Sequence, residues 1–249
     1  MQFLQYFFWL SIAIVFYTYI GYGIILFILV RIKEKIHPPS PLKIREPLPD
    51  VTLFIAAYNE EKIVEEKMEN CHNLNYPKEK LHIVWVTDGT TDATNNKLAT
   101  YPEVTILFSP ERKGKTAALN RGMQFIKTPY TIFTDANTML NPEAIREIMT
   151  CFSDPKVGCV AGEKRIESKD KDAAAAGGEG FYWRYESKLK SLDSRLYSAV
   201  GAAGELFTIE TDLFKTMPTD TLLDDFILSL EIARQGYKIA YCDRAYAIE

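Results

Sequence analysis

No charged residue occurs between Phe3 and Val30, a run of 28 positions. About 20 apolar residues suffice for a helix to cross the hydrocarbon of a bilayer, so this run commits the start of the chain to a membrane helix. Tyr6, Trp9, Tyr17, Tyr19 and Tyr22 are suited to anchoring such a helix at the interface. A signal peptide would show a basic start, a shorter apolar region and a small-residue cleavage site, and none is present. Arg31, Lys33 and Lys35 follow directly, while no Lys or Arg precedes the run. The positive-inside rule then places the start outside and everything after residue 31 in the cytoplasm, at a cell membrane.

Residues 1–36 therefore read as the transmembrane helix with its basic flank. Residues 37–50 read as a semi-rigid tether, because Pro38, Pro39, Pro41, Pro47 and Pro49 favour extended polyproline geometry. The 249 residues of the whole chain are enough for one large domain or two small ones, and residues 51–249 read as a single domain. The whole chain is 47% hydrophobic and 25% charged, a globular balance. Its net charge of −4, with no basic run, argues against a nucleic-acid partner. Cys71, Cys151, Cys159 and Cys242 form no C-x-x-C pair and read as reduced structural thiols, in keeping with a cytoplasmic body.

From residue 51 short apolar runs alternate with helical stretches. Strands are expected at 51–56, 83–87, 104–108, 130–134 and 157–161, and helices at 60–71, 92–99, 115–126 and 142–152. That alternation predicts βαβ units, an α/β fold with a Rossmann-like, mostly parallel sheet flanked by helices. Residues 173–178 read as a flexible loop, followed by a helix over 179–192.

In open α/β sheets, ligands bind beyond the carboxyl ends of the strands. Those ends carry Ala57-Tyr58-Asn59-Glu60, Asp88-Gly89-Thr90-Thr91-Asp92, Glu111-Arg112-Lys113-Gly114-Lys115 and Asp135-Ala136-Asn137. Singly each has a bland role: Asp92 can cap a helix and Gly89 can turn the chain. Four polar strand ends together point to a site. Familiar alternatives fail. Gly114-Lys115-Thr116 ends like a Walker A loop, but its earlier glycine is replaced by Ser109. No G-x-G-x-x-G follows the first strand and no G-x-S-x-G occurs. The three histidines, His37, His72 and His82, are too scattered for a metal cluster or a triad.

Six ordered pieces remain: the stretch from Val51 to Glu60, Thr87-Asp-Gly-Thr-Thr-Asp92, Lys113-Gly-Lys-Thr-Ala-Ala-Leu-Asn120, Thr134-Asp-Ala-Asn137, Gly201-Ala-Ala-Gly-Glu205 and Leu223-Asp-Asp-Phe226. Together they resemble the cytoplasmic domain of membrane-bound family 2 glycosyltransferases, which have the GT-A fold. The resemblance implies an inverting, metal-dependent transferase that takes a nucleotide sugar, a UDP-sugar first, to a saccharide or lipid-linked acceptor in polysaccharide or cell-envelope assembly. It assigns the donor nucleotide to Ala57, Tyr58, Glu60, Asp88, Lys113, Lys115 and Asp135. It places Gly204, Glu205 and Trp183 on the acceptor side. It gives Asp225 the role of catalytic base, with Asp224 beside it where Glu is commoner. Adjacent acids there could also favour a helix N-terminus.

The chemistry wants such residues. A nucleoside diphosphate leaves poorly unless its charge is neutralised, and Mg²⁺ or Mn²⁺ on carboxylate oxygens does this. Asp135 is the expected ligand. Asn137 stands where the family has its second Asp, so the site is one negative charge short. A positioned carboxylate can accept the acceptor's proton. Tyr182, Trp183 and Tyr185 stack on sugars in one reading and pack against membrane or core in another. In related membrane members a Q-x-x-R-W motif and further membrane helices follow; neither occurs up to Glu249, so the transferase domain reads as C-terminally incomplete. Competing functions are single-sugar transfer to a polyprenyl-phosphate carrier and a nucleotide-binding, non-catalytic fragment. A nucleotidyltransferase would need a glycine-rich loop after the first strand, which is lacking.

Overall fold

A computed structural model describes residues 2–39, 44, 46–165 and 175–249. Part of the proline-rich tether and the first two residues of the expected 173–178 loop lie outside that set.

The chain begins with one long helix, built from α1 (Gln2–Phe16), a π-helical turn (Tyr17–Gly21) and α2 (Tyr22–Ile36). Its 35 residues span about 52 Å, more than the roughly 30 Å of bilayer hydrocarbon. The uncharged run therefore continues into a part that packs on protein. Leu26 and Val30 of α2 are buried with Leu192, and the expected flexible loop becomes the start of α7 (Ala175–Leu196). Tyr22 donates to Asp193 at 2.6 Å, Lys33 donates to the Arg195 and Leu196 carbonyls, and Arg195 pairs with Glu34 at 2.6 Å. Nearer the N-terminus the Tyr185 hydroxyl donates to the Tyr19 carbonyl at 2.6 Å.

The body is an eight-stranded sheet in the order β3-β2-β1-β4-β7-β6-β8-β5. Its first half is parallel: β1 (Val51–Ala57), β2 (Leu81–Asp88), β3 (Val104–Ser109) and β4 (Tyr130–Asp135). β5 (Met139–Leu140) lies on the far edge, antiparallel to β8 (Lys238–Ile248). β6 (Val157–Arg165) pairs parallel with β8, and β7 (Phe207–Glu210) runs antiparallel between β4 and β6. Strands β5, β7 and β8 were not expected from sequence. Two or four residues give little periodicity to read, and a register shift after Gly162 breaks the β6–β8 ladder.

Helices cover both faces, so the central strands are nearly continuous apolar runs. On one face Leu53, Ile55, Trp85 and Ile132 pack against α3 (Val64–His72), α4 (Thr94–Leu98) and α6 (Ala144–Cys151). Ile145, Ile148 and Met149 give α6 an apolar stripe at the i, i+3, i+4 spacing. On the other face Phe54, Val86, Phe133 and Phe207 meet α5 (Lys115–Met123) and α8 (Asp224–Arg234). A Cβ at Gly122 of α5 would lie 2.4 Å from the Phe54 ring, so only glycine lets this helix sit so close to β1. The expected helices at 60–71 and 92–99 begin late, at Val64 and Thr94. Their first residues are used otherwise: Asp92 accepts the Thr94 N–H at 3.0 Å and the Glu61 N–H at 3.1 Å, tying the turn before one helix to the turn before the other.

Candidate active site

Strand order reverses between β1 and β4, where neighbours lead away in opposite directions, and the crevice beyond their carboxyl ends is the natural ligand site of such a sheet. Ala56 pairs with Asp135 there. Phe54, Ala56, Lys115, Asp135, Gly204 and Asp224 line the crevice, so β1, β4, α5, the loop before β7 and the start of α8 converge on it.

Lys115 Nζ is 2.8 Å from Asp135 Oδ1. Burial acts to lower the Lys115 pKa, but Asp135 and then Asp224 and Asp225 outweigh it, and the ammonium titrates above its usual range. Asp224 is buried, and one of its oxygens has no hydrogen-bond partner. Burial pushes its carboxyl up, with Asp225 and Asp135 adding and Lys115 opposing. A Cβ on Gly204 would lie 3.4 Å from Asp225 Oδ2 and 3.5 Å from Lys115 Nζ, which puts Asp225 at the same mouth. Glu60 approaches from β1: burial raises its pKa, reinforced by Asp92 and Asp135.

Asp88 ends β2 with a defined task. Its Oδ2 accepts the backbone N–H groups of Lys113 and Gly114 at 2.7 and 2.8 Å, fixing the loop into α5. Gly89 follows with φ 67°, and a Cβ there would be 2.5 Å from the Arg112 Cβ. This close approach carries the Arg112 guanidinium over the Tyr58 ring, 3.7 Å from its centroid. Arg112 is a site-mouth residue that sequence reading passed over. The only sequence signal for it was its place directly before Lys113, in a strand end whose two lysines drew the attention. Lys113, by contrast, turns away: its ammonium pairs with Glu111 at 3.0 Å on the exposed surface, and only its backbone N–H serves the loop.

The turn after β4 carries Asp135 and Asn137. Asn137 is exposed, 3.4 Å from Glu249. No cluster of three or more His, Cys, Asp or Glu side chains forms a metal cage among the described residues. One carboxylate and one amide still suit a divalent ion that keeps waters and takes most of its remaining ligands from phosphates. The residues thus fit an ion arriving with a nucleotide.

On the far side of Gly204, Glu205 pairs with Lys164 at 2.6 Å, and Lys164 also meets Glu249 at 2.5 Å. Trp183 of α7 stands with its ring 5.6 Å from Lys164 Nζ. Lys164, Trp183 and Glu205 line a cleft of about 170 Å³ with Glu186, Lys190 and Tyr241. Trp183 and Glu205 are brought together there, while Tyr182 is largely exposed and Tyr185 is committed to the N-terminal helix.

A parallel half joined through an antiparallel strand to a second half, with acids at the seam, defines a GT-A fold. Residues 49–248 match the family described as Glycosyltransferase like family 2, and the chain belongs to that family. The poly-beta-1,6-N-acetyl-D-glucosamine synthase of Staphylococcus aureus (strain COL) is 26% identical over 253 residues, covering 97% of this chain and 59% of that protein. The Staphylococcus epidermidis synthase is 26% identical over 207 residues, covering 78% and 48%. The chain thus spans less than two thirds of these curated relatives. Among solved structures, the mannosyltransferase PcManGT from Pyrobaculum calidifontis in complex with GDP-Man and Mn²⁺ superposes with a TM-score of 0.75 at 26% identity, covering 96% of this chain and 68% of that one. S. aureus TarS 1–349 in complex with UDP-GlcNAc shares the fold, with a TM-score of 0.61 at 15% identity over 80% of this chain and 58% of that one.

Proposed function

We propose that this chain is an inverting, metal-dependent glycosyltransferase that uses a nucleotide sugar, a UDP-sugar first, to extend a saccharide or lipid-linked acceptor in polysaccharide or cell-envelope assembly. The observation that carries the reading is the convergence of Lys115, Asp135, Asp224 and Asp225 on the crevice between β1 and β4. The synthase and PcManGT likenesses support it, and GDP-mannose in the latter makes guanosine the second nucleotide to test.

Tyr58, Glu60 and the Asp88-held loop flank the nucleoside. Lys115, at the start of α5, supplies positive charge to the diphosphate, as does the helix N-terminus itself. Asp135 and Asn137 would hold Mg²⁺ or Mn²⁺, which would supply positive charge to neutralise the departing diphosphate. Asp225 takes the proton from the acceptor hydroxyl as that oxygen bonds to the anomeric carbon and the bond to phosphate breaks. The configuration inverts and no covalent enzyme intermediate forms. Asp224 holds a second negative charge beside Lys115.

The N-terminal helix supports membrane attachment. Asp193 and Arg195 of α7 meet Tyr22 and Glu34 of α2, and charged groups belong outside hydrocarbon, which favours Gln2 to Gly21 as the lipid-spanning part. Charge asymmetry puts the transferase body on the cytoplasmic face.

The test is transfer of labelled sugar from a panel of UDP-sugars and GDP-mannose by the vesicle-reconstituted chain. Product that disappears in Asp225→Asn supports the reading. Absence of transfer from every donor, by a folded chain that also binds neither nucleotide, contradicts it.

A further inference from the structure

Lys67 lies on the inner face of α3 and is fully buried. Lysine is almost never buried this deeply without an ionic partner, yet among the described residues no carboxylate comes within ion-pair distance of its ammonium. Its Nζ donates instead to Thr134 Oγ1 at 3.2 Å and to the Thr138 carbonyl. These two residues bracket Asp135 and Asn137. Thr134 Oγ1 is also 3.0 Å from both Thr138 Oγ1 and the Glu205 carbonyl, and Thr138 Oγ1 donates to the Asp135 carbonyl at 3.1 Å. One ammonium therefore sits beneath a network that joins α3, the turn after β4 and the chain entering β7.

We infer that Lys67 is a positioning residue, an internal clamp that fixes the turn over residues 134–138 and so the aim of Asp135 and Asn137 at a metal–diphosphate. An apolar chain could fill the same space without the desolvation cost of a buried charge. What it could not do is direct donors at both ends of the turn. Three ammonium protons on a stem anchored in α3 do so. The charge also lies close enough to Asp135 to act on it through space. Lys67 itself reaches no solvent and touches no substrate.

The inference rests on the donor-site reading above, and the test separates the two. UDP and GDP are titrated into the full chain in detergent, with Mn²⁺ and with EDTA, for the native protein, Lys67→Met and Thr134→Val, with folding checked by circular dichroism. Lys67→Met is expected to bind nucleotide in EDTA as the native chain does, and to lose at least tenfold of the affinity gained with Mn²⁺. Thr134→Val, which removes one end of the clamp, is expected to lose several-fold of the same part, with little further loss when combined with Lys67→Met. If Lys67→Met does not fold, Thr134→Val decides by the same criterion. Equal metal-dependent affinity in folded variants, or equal weakening with and without metal, overturns the clamp. A native chain that binds neither nucleotide overturns the donor-site reading and the clamp with it.

Discussion

Lys115 and Asp135 face each other at 2.8 Å across the mouth of the crevice, a cation held on the carboxylate that is proposed to take the metal. The pairing preorganises both groups where a diphosphate would lie. Lys115→Gln keeps most of the side chain and removes the charge. We expect about a tenfold loss of affinity for nucleoside diphosphate, about 1.4 kcal/mol, with binding of the free nucleoside unchanged. Parallel titrations with UDP and uridine check this; equal losses for both would place Lys115 away from the phosphates.

Asp225 should act only in turnover. Asp225→Asn is expected to lower kcat by about 10²–10⁴-fold, the usual contribution of a general base, while leaving nucleotide binding intact. Asp224→Asn should cost less, since Asp224 is buried beside Lys115 and has no role in receiving the proton. Steady-state rates and a binding titration on each variant separate the roles. The reverse ranking would exchange the two assignments.

Gly89 combines a positive φ with close contact to Arg112. Gly89→Ala forces either backbone strain or displacement of the Arg112 loop, at a cost of roughly 1–3 kcal/mol. Thermal unfolding should show a lower Tm, and nucleotide affinity should fall because Arg112 leaves Tyr58. An unchanged Tm would mean the loop yields freely.

Burial holds the Lys67 pKa down at about 8. Above that pH the folded chain releases a proton that the unfolded chain, with an ordinary lysine, still binds. Stability from this group therefore rises with pH, from about 8 toward 10.5. Cys71 opposes it in the upper part of the window, because burial raises its thiol to about 11 and the unfolded thiol ionises first. The clean interval is pH 8 to 9. There the native chain should gain about 1 kcal/mol relative to Lys67→Met, read from denaturant unfolding at each pH. A constant difference would mean that Lys67 stays charged throughout.

The parallel half of the fold was legible because its strands are buried on both faces and end in polar residues that no core could want. Val51 to Ala57 and Tyr130 to Asp135 show this directly. The second half was less so. The four residues of β7 alternate too briefly to declare a strand, and β8 is interrupted by Asp243 and Arg244 where its ladder with β6 shifts register. The start of α7 looked like a loop because a run of alanine and glycine carries no apolar periodicity from which a helix could be read.

At the site, sequence located residues along elements but not the direction of their side chains. Lys113 and Lys115 look equivalent in the motif; Glu111 draws one outward and Asp135 draws the other in. Lys67 was unreadable for a related reason. On an amphipathic stretch with Glu65, Glu66 and Glu69, one more charged residue passes for solvated surface, and only tertiary packing shows that it points inward.

The most direct test of the account is a calorimetric titration of the folded, detergent-solubilised chain with UDP and with GDP, in Mn²⁺ and then in EDTA, beside Asp135→Ala. The account predicts binding of UDP that Mn²⁺ strengthens, with that metal-dependent gain lost in Asp135→Ala. Binding of neither nucleotide with any metal, or binding indifferent to both EDTA and Asp135→Ala, would contradict it.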